Sequence, residues 1–254
     1  MEIEMEEQSK RGFAAKLDNF WYYHKWHTII GAFVLILAII LITQLTGRES
    51  YDMQVLYAGP HIFKTGEKEA IESAFSQLLK RDYNGDGKKN CEVMNITIMT
   101  DSQLGAAMES ADNVQSMVLY NTYSEDNVRS SLTQEIAAGE HVICLFDPVW
   151  YQMVADMDGF IPLADVLGYL PEGAADPYSI RLCDTDFAQY FDAFSVLPED
   201  TVLCMRRIAS TIVFTGVKKA EARYEDHRDI LKAVFSFRLP ADFETKTKES
   251  LTAD

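Results

Sequence analysis

The segment 82–87, with the sequence DYNGDG, has residue types and spacing that could bind a metal ion. Side chains that carry oxygen alternate along it, so Asp82, Asn84 and Asp86 can direct their oxygens to one centre. Gly87 permits the sharp turn that such a loop needs. The pattern matches the first half of a calcium loop, and calcium is the one cofactor that the sequence suggests.

The second half of the pattern departs from a calcium loop. Val93 stands where a calcium loop has its bidentate glutamate, Glu92 comes one place early, and Lys89 replaces an apolar residue. The alternative interpretation is a turn between a helix and a strand, because asparagine, aspartate and glycine favour turns without any metal. Both interpretations stay open on the sequence.

No arrangement of residues in the sequence indicates a catalytic centre. None of the histidines belongs to an H-E-x-x-H zinc motif, and the chain has no G-x-S-x-G motif and no phosphate-binding loop. Pairs of aspartates occur, but such pairs are expected by chance in so acidic a chain. We therefore expect a protein that is not an enzyme.

An uncharged, mostly apolar stretch at 28–47 has the length of a membrane-spanning helix. A bilayer core about 30 Å thick takes roughly 20 residues at about 1.5 Å per residue. The stretch divides the chain into a tail at 1–27, a transmembrane helix at 28–47 and an outer domain at 48–254. No small-x-small cleavage pattern follows it clearly, so we expect an uncleaved signal anchor.

The flanks of this stretch predict its orientation. Four bases precede it, whereas Arg48 is the single base that follows it before Lys64. By the positive-inside rule the N-terminus is expected in the cytoplasm and the outer domain outside the cell membrane. The tryptophans and tyrosines at 20–26 suit the headgroup boundary, and an interfacial helix is expected to lead into the span. We expect residues 1–10 to form a frayed polar tail.

The charge of the chain disfavours two classes of partner. The formal net charge is −16 at pH 7, and residues 1–47 hold four bases and five acids, so nearly all of the excess lies in the outer domain. Such a charge disfavours nucleic acid and an anionic membrane surface. It suits a domain held off an anionic envelope, with a small solute or an envelope protein as its partner.

The four cysteines all lie in the outer domain, at Cys91, Cys144, Cys183 and Cys204. An even number outside the cell permits disulfides. Cys144 and Cys204 lie inside apolar runs, however, where a free cysteine behaves as a small hydrophobe. We favour buried free thiols. Which cysteines would pair if disulfides did form stays open.

Strands and helices alternate along the outer domain, which predicts an α/β fold with a mostly parallel sheet. Residues 51–57 are expected to form a strand, followed by a helix whose apolar residues recur with a period of 3.6. Residues 91–99 form the next expected strand, with Met94, Ile96 and Ile98 on one face. This β-α-β unit has the length of a parallel crossover.

The middle of the outer domain predicts a helix, a central strand and another helix. Thr122 and Glu125 have capping-box spacing for a helix that ends near Gly139. The apolar run at 141–146 is typical of a strand covered on both faces. Asp147 is expected to cap the next helix, with proline at its first position. The remaining expected elements are strands at 178–182, 201–207 and 211–215 and a helix at 224–237.

In parallel sheets, ligands bind at the carboxyl ends of the strands, near the point where strand order reverses. That rule selects the residues after the first and the central strand as candidates for ligand binding: Tyr57, Pro60, Asp147, Trp150 and Tyr151. The indole of Trp150 is of the kind that stacks on a sugar ring. We favour core packing for Trp150, because it belongs to the apolar stripe of its helix.

Residues 132–168 resemble a segment that recurs in bacterial extracellular solute-binding proteins of the periplasmic type. The matching pieces are Ala137-Ala138-Gly139, the strand that leads to Asp147, Trp150, and Gly159-Phe160-Ile161-Pro162-Leu163. The opening strand-helix-strand is similar in order to the first unit of that family. A membrane helix followed by such a domain also resembles envelope proteins of Gram-positive bacteria.

The resemblance implies one lobe of a periplasmic-binding fold, because the outer domain is too short for the two lobes that close on a ligand. The function implied is a membrane-tethered binding or accessory module without catalytic activity. The alternative is a structural or assembly protein of the cell envelope that uses the domain for protein–protein interaction. An open concave site with converging polar groups favours the first, and a filled crevice favours the second.

Overall fold

The computed structural model describes residues 2–46, 51–109, 111–139, 141–207, 217–241 and 243. The chain divides into two compact units, Met1–Ser50 and Tyr51–Asp254. The strand expected at 211–215 lies outside the described residues.

The described part of the first unit is one continuous helix, α1 (Glu2–Thr46). Within it lies the 24-residue segment Phe20–Thr43, which contains an 18-residue stretch with a mean hydropathy of 2.4 and no buried residue. By length and composition this segment can cross a membrane, although a signal sequence near an N-terminus meets the same criteria. Residues 2–10 belong to the same helix, so the expectation of a frayed tail there is wrong. Glutamate, methionine and glutamine are good helix formers, which favours extension of the helix into this region.

Within the described residues, the second unit is built on a five-stranded mixed sheet. Its strands are β1 (Met53–Gly59), β2 (Cys91–Thr97), β3 (Ile143–Phe146), β4 (Ser179–Arg181) and β5 (Val202–Met205), in the order β2-β1-β3-β5-β4. Strand β1 pairs in parallel with β2 and β3, whereas β5 pairs antiparallel with both β3 and β4. The fold is therefore α/β, but a mostly parallel sheet is not confirmed, because two of these four strand pairings are antiparallel. Hydrophobic periodicity, on which the prediction rested, does not encode strand direction.

Helices surround this sheet. They are α2 (Glu67–Leu78), α3 (Asp101–Glu109), α4 (Asn113–Tyr123), α5 (Glu125–Ala138), α6 (Pro148–Ala155), α7 (Leu163–Leu167), α8 (Asp186–Tyr190) and α9 (Val217–Ser236). The expected capping box is wrong, because Thr122 belongs to α4 and Ser124 is the N-cap of α5. The predicted end of α5 is confirmed: Gly139 has a φ of 73°, the left-handed conformation that glycine adopts without a steric penalty.

The strand β1 divides its side chains between two apolar clusters, one on each face of the sheet. Met53, Val55 and Tyr57 belong to a cluster that α2, α8 and α9 cover, whereas Leu56 and Ala58 belong to one that α5 and α6 cover. All five side chains are fully buried. The alternation follows from the pleat of a strand, in which successive side chains point to opposite faces.

None of the four cysteines is in a disulfide. Cys91, Cys144 and Cys204 are buried, as expected for thiols that act as small hydrophobes, and Cys183 is half-buried. Burial raises the pKa of the Cys144 thiol to about 12. Such thiols are largely uncharged near neutral pH and contribute to packing.

Candidate functional site

The five candidates for ligand binding, Tyr57, Pro60, Asp147, Trp150 and Tyr151, are called the strand-end residues below. Asp147 caps α6 as predicted, because its carboxylate accepts a hydrogen bond from the Val149 N–H at 2.9 Å. The other carboxylate oxygen accepts a bond from the Gln103 side-chain amide at 2.7 Å. Only 3% of Asp147 is exposed, so its oxygens are engaged within the protein.

Trp150 and Tyr151 pack into the apolar cluster under α6. Trp150 is 1% exposed, and its indole N–H has no hydrogen-bond partner within the described residues. The ring of Tyr151 stacks on Phe160 with centroids 4.9 Å apart, and its hydroxyl donates to Asp176 at 2.7 Å. Burial raises the pKa of Tyr151. The interpretation of Trp150 as a core residue is confirmed.

Tyr57 lies on the opposite face of the sheet. It is fully buried, and its hydroxyl accepts a hydrogen bond from the His61 N–H at 3.0 Å. Burial raises the pKa of Tyr57. Pro60 is half-buried just after β1. The strand-end residues are thus divided between two faces of the sheet, and they do not converge on one open cleft.

The turn at 82–87 uses its side-chain oxygens on its own backbone. The two carboxylate oxygens of Asp82 accept hydrogen bonds from the N–H groups of Gly85 at 2.6 Å and Gly87 at 2.7 Å. These bonds, that from Gly87 above all, hold the pKa of Asp82 below its ordinary value. Asn84 accepts from the Asp86 N–H at 2.9 Å, and Asp86 accepts from the Lys88 N–H at 2.8 Å.

A second carboxylate, which the sequence did not single out, supports the same turn. Asp52 is 5% exposed and accepts hydrogen bonds from the N–H groups of Tyr83 at 2.6 Å, Asn84 at 3.0 Å and Asn90 at 3.0 Å. Within the described residues, no group of three His, Cys, Asp or Glu side chains could hold a metal ion. These hydrogen bonds are of the kind expected for a turn between a helix and a strand that binds no metal. Calcium binding stays a prediction of the sequence.

An open groove of about 810 Å³ lies beside β2, which is an edge strand of the sheet. Its walls are the loop after β1, at Ile62 and Phe63, the end of α4, and one side of α5. Residues 94–97 of β2 form its floor. This space is called the β2 groove below, and amide and hydroxyl side chains from β2, α4 and α5 line it: Asn95, Thr97, Asn121, Thr122, Tyr123, Asn127, Ser131 and Gln134.

The backbone of β2 is partly capped along its free edge. The Cys91 N–H donates to the Ser76 hydroxyl at 3.0 Å, the Val93 N–H donates to the Glu72 carboxylate at 2.8 Å, and the Met99 N–H donates to the Tyr123 carbonyl at 2.9 Å. Alternate residues of a strand present their N–H groups to the same side. Those of Asn95 and Thr97 therefore also point away from β1, and neither has a hydrogen-bond partner within the described residues.

One wall of the β2 groove is fixed by a glutamate. Glu67 accepts hydrogen bonds from the Lys64 N–H at 2.8 Å and from the His61 ring at 2.9 Å, which holds the loop carrying Ile62 and Phe63. The Lys64 N–H and the His61 ring hold the pKa of Glu67 below its ordinary value. The Thr97 hydroxyl donates to the His61 carbonyl at 3.2 Å and joins this loop to the floor of the groove.

The lining of the β2 groove is nearly neutral. Among the described residues that line it, Glu135 is the one carboxylate and lies 2.6 Å from the His141 ring, and none is a lysine or arginine. The described hydrogen bonds join no hydroxyl of the lining to a histidine ring or a carboxylate. The groove therefore offers neutral hydrogen-bonding groups next to apolar surface, which is the chemistry of a binding site.

Sequence reasoning missed the β2 groove, although β2 carried a signal. Met94, Ile96 and Ile98 were expected on one face, and the intervening Asn95 and Thr97 are polar. A strand with one polar face lies at an edge or at a solvated face more often than in the centre of a sheet. No family model, curated protein or solved structure matches this chain.

Proposed function

We propose that this chain is a membrane-tethered binding module of the solute-binding type, without catalytic activity, with residues 48–254 outside the cell membrane. The β2 groove is the observation that carries the proposal, because it is open and its polar groups converge from one strand and two helices. Its volume of about 810 Å³ falls in the range of roughly 300–1,000 Å³ that is typical of ligand pockets.

Three further observations support the proposed position of the chain at the membrane and the proposed class of binding protein. The apolar segment Phe20–Thr43 suits a membrane anchor, and the bases before it favour a cytoplasmic N-terminus. The acidic charge suits a domain held away from an anionic surface. Helix α5 ending at Gly139, strand β3 leading to Asp147, and helix α6 follow the order that the resemblance to one lobe of a periplasmic-binding fold implies.

An alternative function, protein–protein interaction in the cell envelope, is favoured by the surface of α4. None of the residues of this helix is buried, and its exposed side chains include Val114, Met117, Val118 and Tyr120. An exposed apolar surface of this kind is typical of a contact with another protein. The filled packing around the strand-end residues points in the same direction.

Thermal-shift screening of the full-length protein in lipid nanodiscs tests the proposal. The ligands to be compared are sugars, amino acids, short peptides and calcium. A rise in melting temperature with one class, abolished when the β2 groove is filled by Ser131→Trp, is the expected result. No shift with any of them would overturn the binding function in favour of the interaction alternative.

A further inference from the structure

The floor of the β2 groove offers the hydrogen-bonding pattern of an incomplete sheet. The N–H groups of Asn95 and Thr97 face the groove, separated by two residues or about 6.6 Å along the strand. An extended chain laid beside β2 has carbonyl oxygens at the same repeat, because strands share one rise per residue. Addition of a strand to a free sheet edge is a recurring mode of peptide recognition.

The neighbouring residues limit where an added strand can pair. The edge donors before the groove, at Cys91 and Val93, are occupied by Ser76 and Glu72. The donor after it, at Met99, is occupied by the Tyr123 carbonyl, so a short stretch of this chain already lies beside β2 there. Within the described residues, the edge donors without a partner are therefore confined to the β2 groove, which gives an incoming strand a defined register.

The charge of the groove limits the ligand. The described lining residues include one carboxylate, Glu135, and no lysine or arginine, so they offer no cation to pair with a phosphate or another anion. The whole chain is strongly acidic, which disfavours anionic ligands further. Uncharged or basic ligands are left, and neutral amide side chains in the walls match the amides of a peptide backbone.

Apolar surface continues from the groove along α4. Asn121 and Thr122 line the groove, and residues three or four positions earlier lie on the same side of a helix. Met117 and Val118 occupy those positions and are 67% and 57% exposed. A polypeptide that leaves the groove on this side meets apolar surface that suits its side chains.

We propose that the β2 groove binds an extended polypeptide segment, uncharged or basic, which adds to the sheet as a strand at Asn95 and Thr97. This inference rests on the proposed binding function and names its ligand class. The backbone of the segment pairs with the edge of β2, and its side chains alternate between the wall at Phe63 and the wall formed by α5.

Capped pentapeptides that alternate threonine with valine, isoleucine or tyrosine are the probes that test it. They are titrated into the full-length protein in nanodiscs, and amide hydrogen exchange is measured with and without peptide. We expect saturable binding and slower exchange at Asn95 and Thr97, because their N–H groups gain acceptors. The same peptides N-methylated at every residue are expected to bind at least about tenfold more weakly, because they have lost their backbone donors.

Two tryptophan variants provide a matched pair. Ser131→Trp places a large ring in the groove, whereas Ser130→Trp places the same ring on the next exposed position of α5, outside the lining. We expect loss of peptide binding in the first and unchanged binding in the second, with equal melting temperatures. If Ser131→Trp does not fold, the exchange at Asn95 and Thr97 in the unaltered chain decides the question.

The negative outcomes separate this inference from the proposed function. Binding of maltotriose or another oligosaccharide, lost in Ser131→Trp while no peptide binds, would overturn the peptide inference and leave the binding function standing. Peptide binding that persists in Ser131→Trp without slower exchange at Asn95 and Thr97 would place the peptide elsewhere and overturn the inference. No binding by any probe would overturn both.

Discussion

The strand-end residues and the β2 groove both lie near the carboxyl ends of parallel strands, yet one region is filled and the other is open. Asp147 follows the central strand β3, and its carboxylate is occupied by Val149 and Gln103. Asn95 and Thr97 belong to the edge strand β2 and line the groove, and their N–H groups have no partner within the part of the chain that the structure describes. Position within the sheet, more than position at the end of a strand, therefore decides which polar groups remain accessible.

The difference has a physical cause in layer packing. A central strand has neighbours on both sides and helices on both faces, so the residues that follow it are covered by the helices that return to the sheet. An edge strand lacks one neighbour, and its backbone must be capped by side chains, by loops or by another chain. Among the described residues, the capping of β2 is incomplete at the groove.

The largest expected effect is that of Trp150→Ala. If the strand-end residues are packing residues, removal of this buried ring lowers the free energy of unfolding by about 3–5 kcal/mol. Urea denaturation of the full-length protein in detergent micelles measures the change. Ser131→Ala in the groove is the control and is expected to change it by less than about 0.5 kcal/mol. A Trp150→Ala protein as stable as the unaltered chain would show that the region of the strand-end residues is not packed as described.

Asp147→Ala is expected to have a smaller effect. The substitution removes the cap of α6, which is worth about 1–2 kcal/mol, and leaves the Val149 N–H without its acceptor. Glu172→Ala, which removes the same charge at an exposed position, serves as the control in the same denaturation experiment. If Asp147→Ala instead lost ligand binding while its free energy of unfolding stayed unchanged, Asp147 would be a ligand-binding residue and not a packing residue.

Acidification is expected to loosen the groove wall through Glu67. The pKa of this carboxyl is lowered in the folded protein from its ordinary value of 4.5, chiefly by the Lys64 N–H. Its stabilising contribution is therefore complete above pH 4.5 and is lost as the pH falls through the lowered pKa.

The difference in stability between the unaltered chain and Glu67→Gln measures this contribution. It is expected to be constant at neutral pH and to shrink below pH 4.5, with Glu172→Gln as the control. A difference that does not depend on pH would show that the wall is held without the charge of Glu67.

Removal of calcium is expected to have the smallest effect. The oxygens of Asp82, Asn84 and Asp86 already accept backbone hydrogen bonds within their own turn. We expect the same melting temperature in calcium chloride and in a chelator. A higher melting temperature with calcium, absent in Asp82→Ala, would establish the turn as a metal site and add a third functional region to the comparison.

Much of the fold could be predicted from local pattern. The Asp147-Pro148 start of α6, the Gly139 end of α5 and the alternating faces of β1 are local, because a cap or a pleat depends on residues close in sequence. Helices α3 and α4 were not predicted, since α4 has no buried residue and hence no strong apolar stripe to indicate it. The direction of β5 was missed because strand direction follows from chain connections between distant elements.

The sequence by itself determined the apolar segment that suits a membrane anchor, the acidic character of the rest, the burial of Cys144 and Cys204, and the alternation of strands and helices. These properties depend on composition and on periods of two or 3.6 residues, which any folded arrangement must satisfy. Only the tertiary structure decided that β2 lies at the edge and β3 in the centre. Strand order arises from contacts between distant segments, so the sequence pattern did not reveal that Asn95 and Thr97 line an open groove.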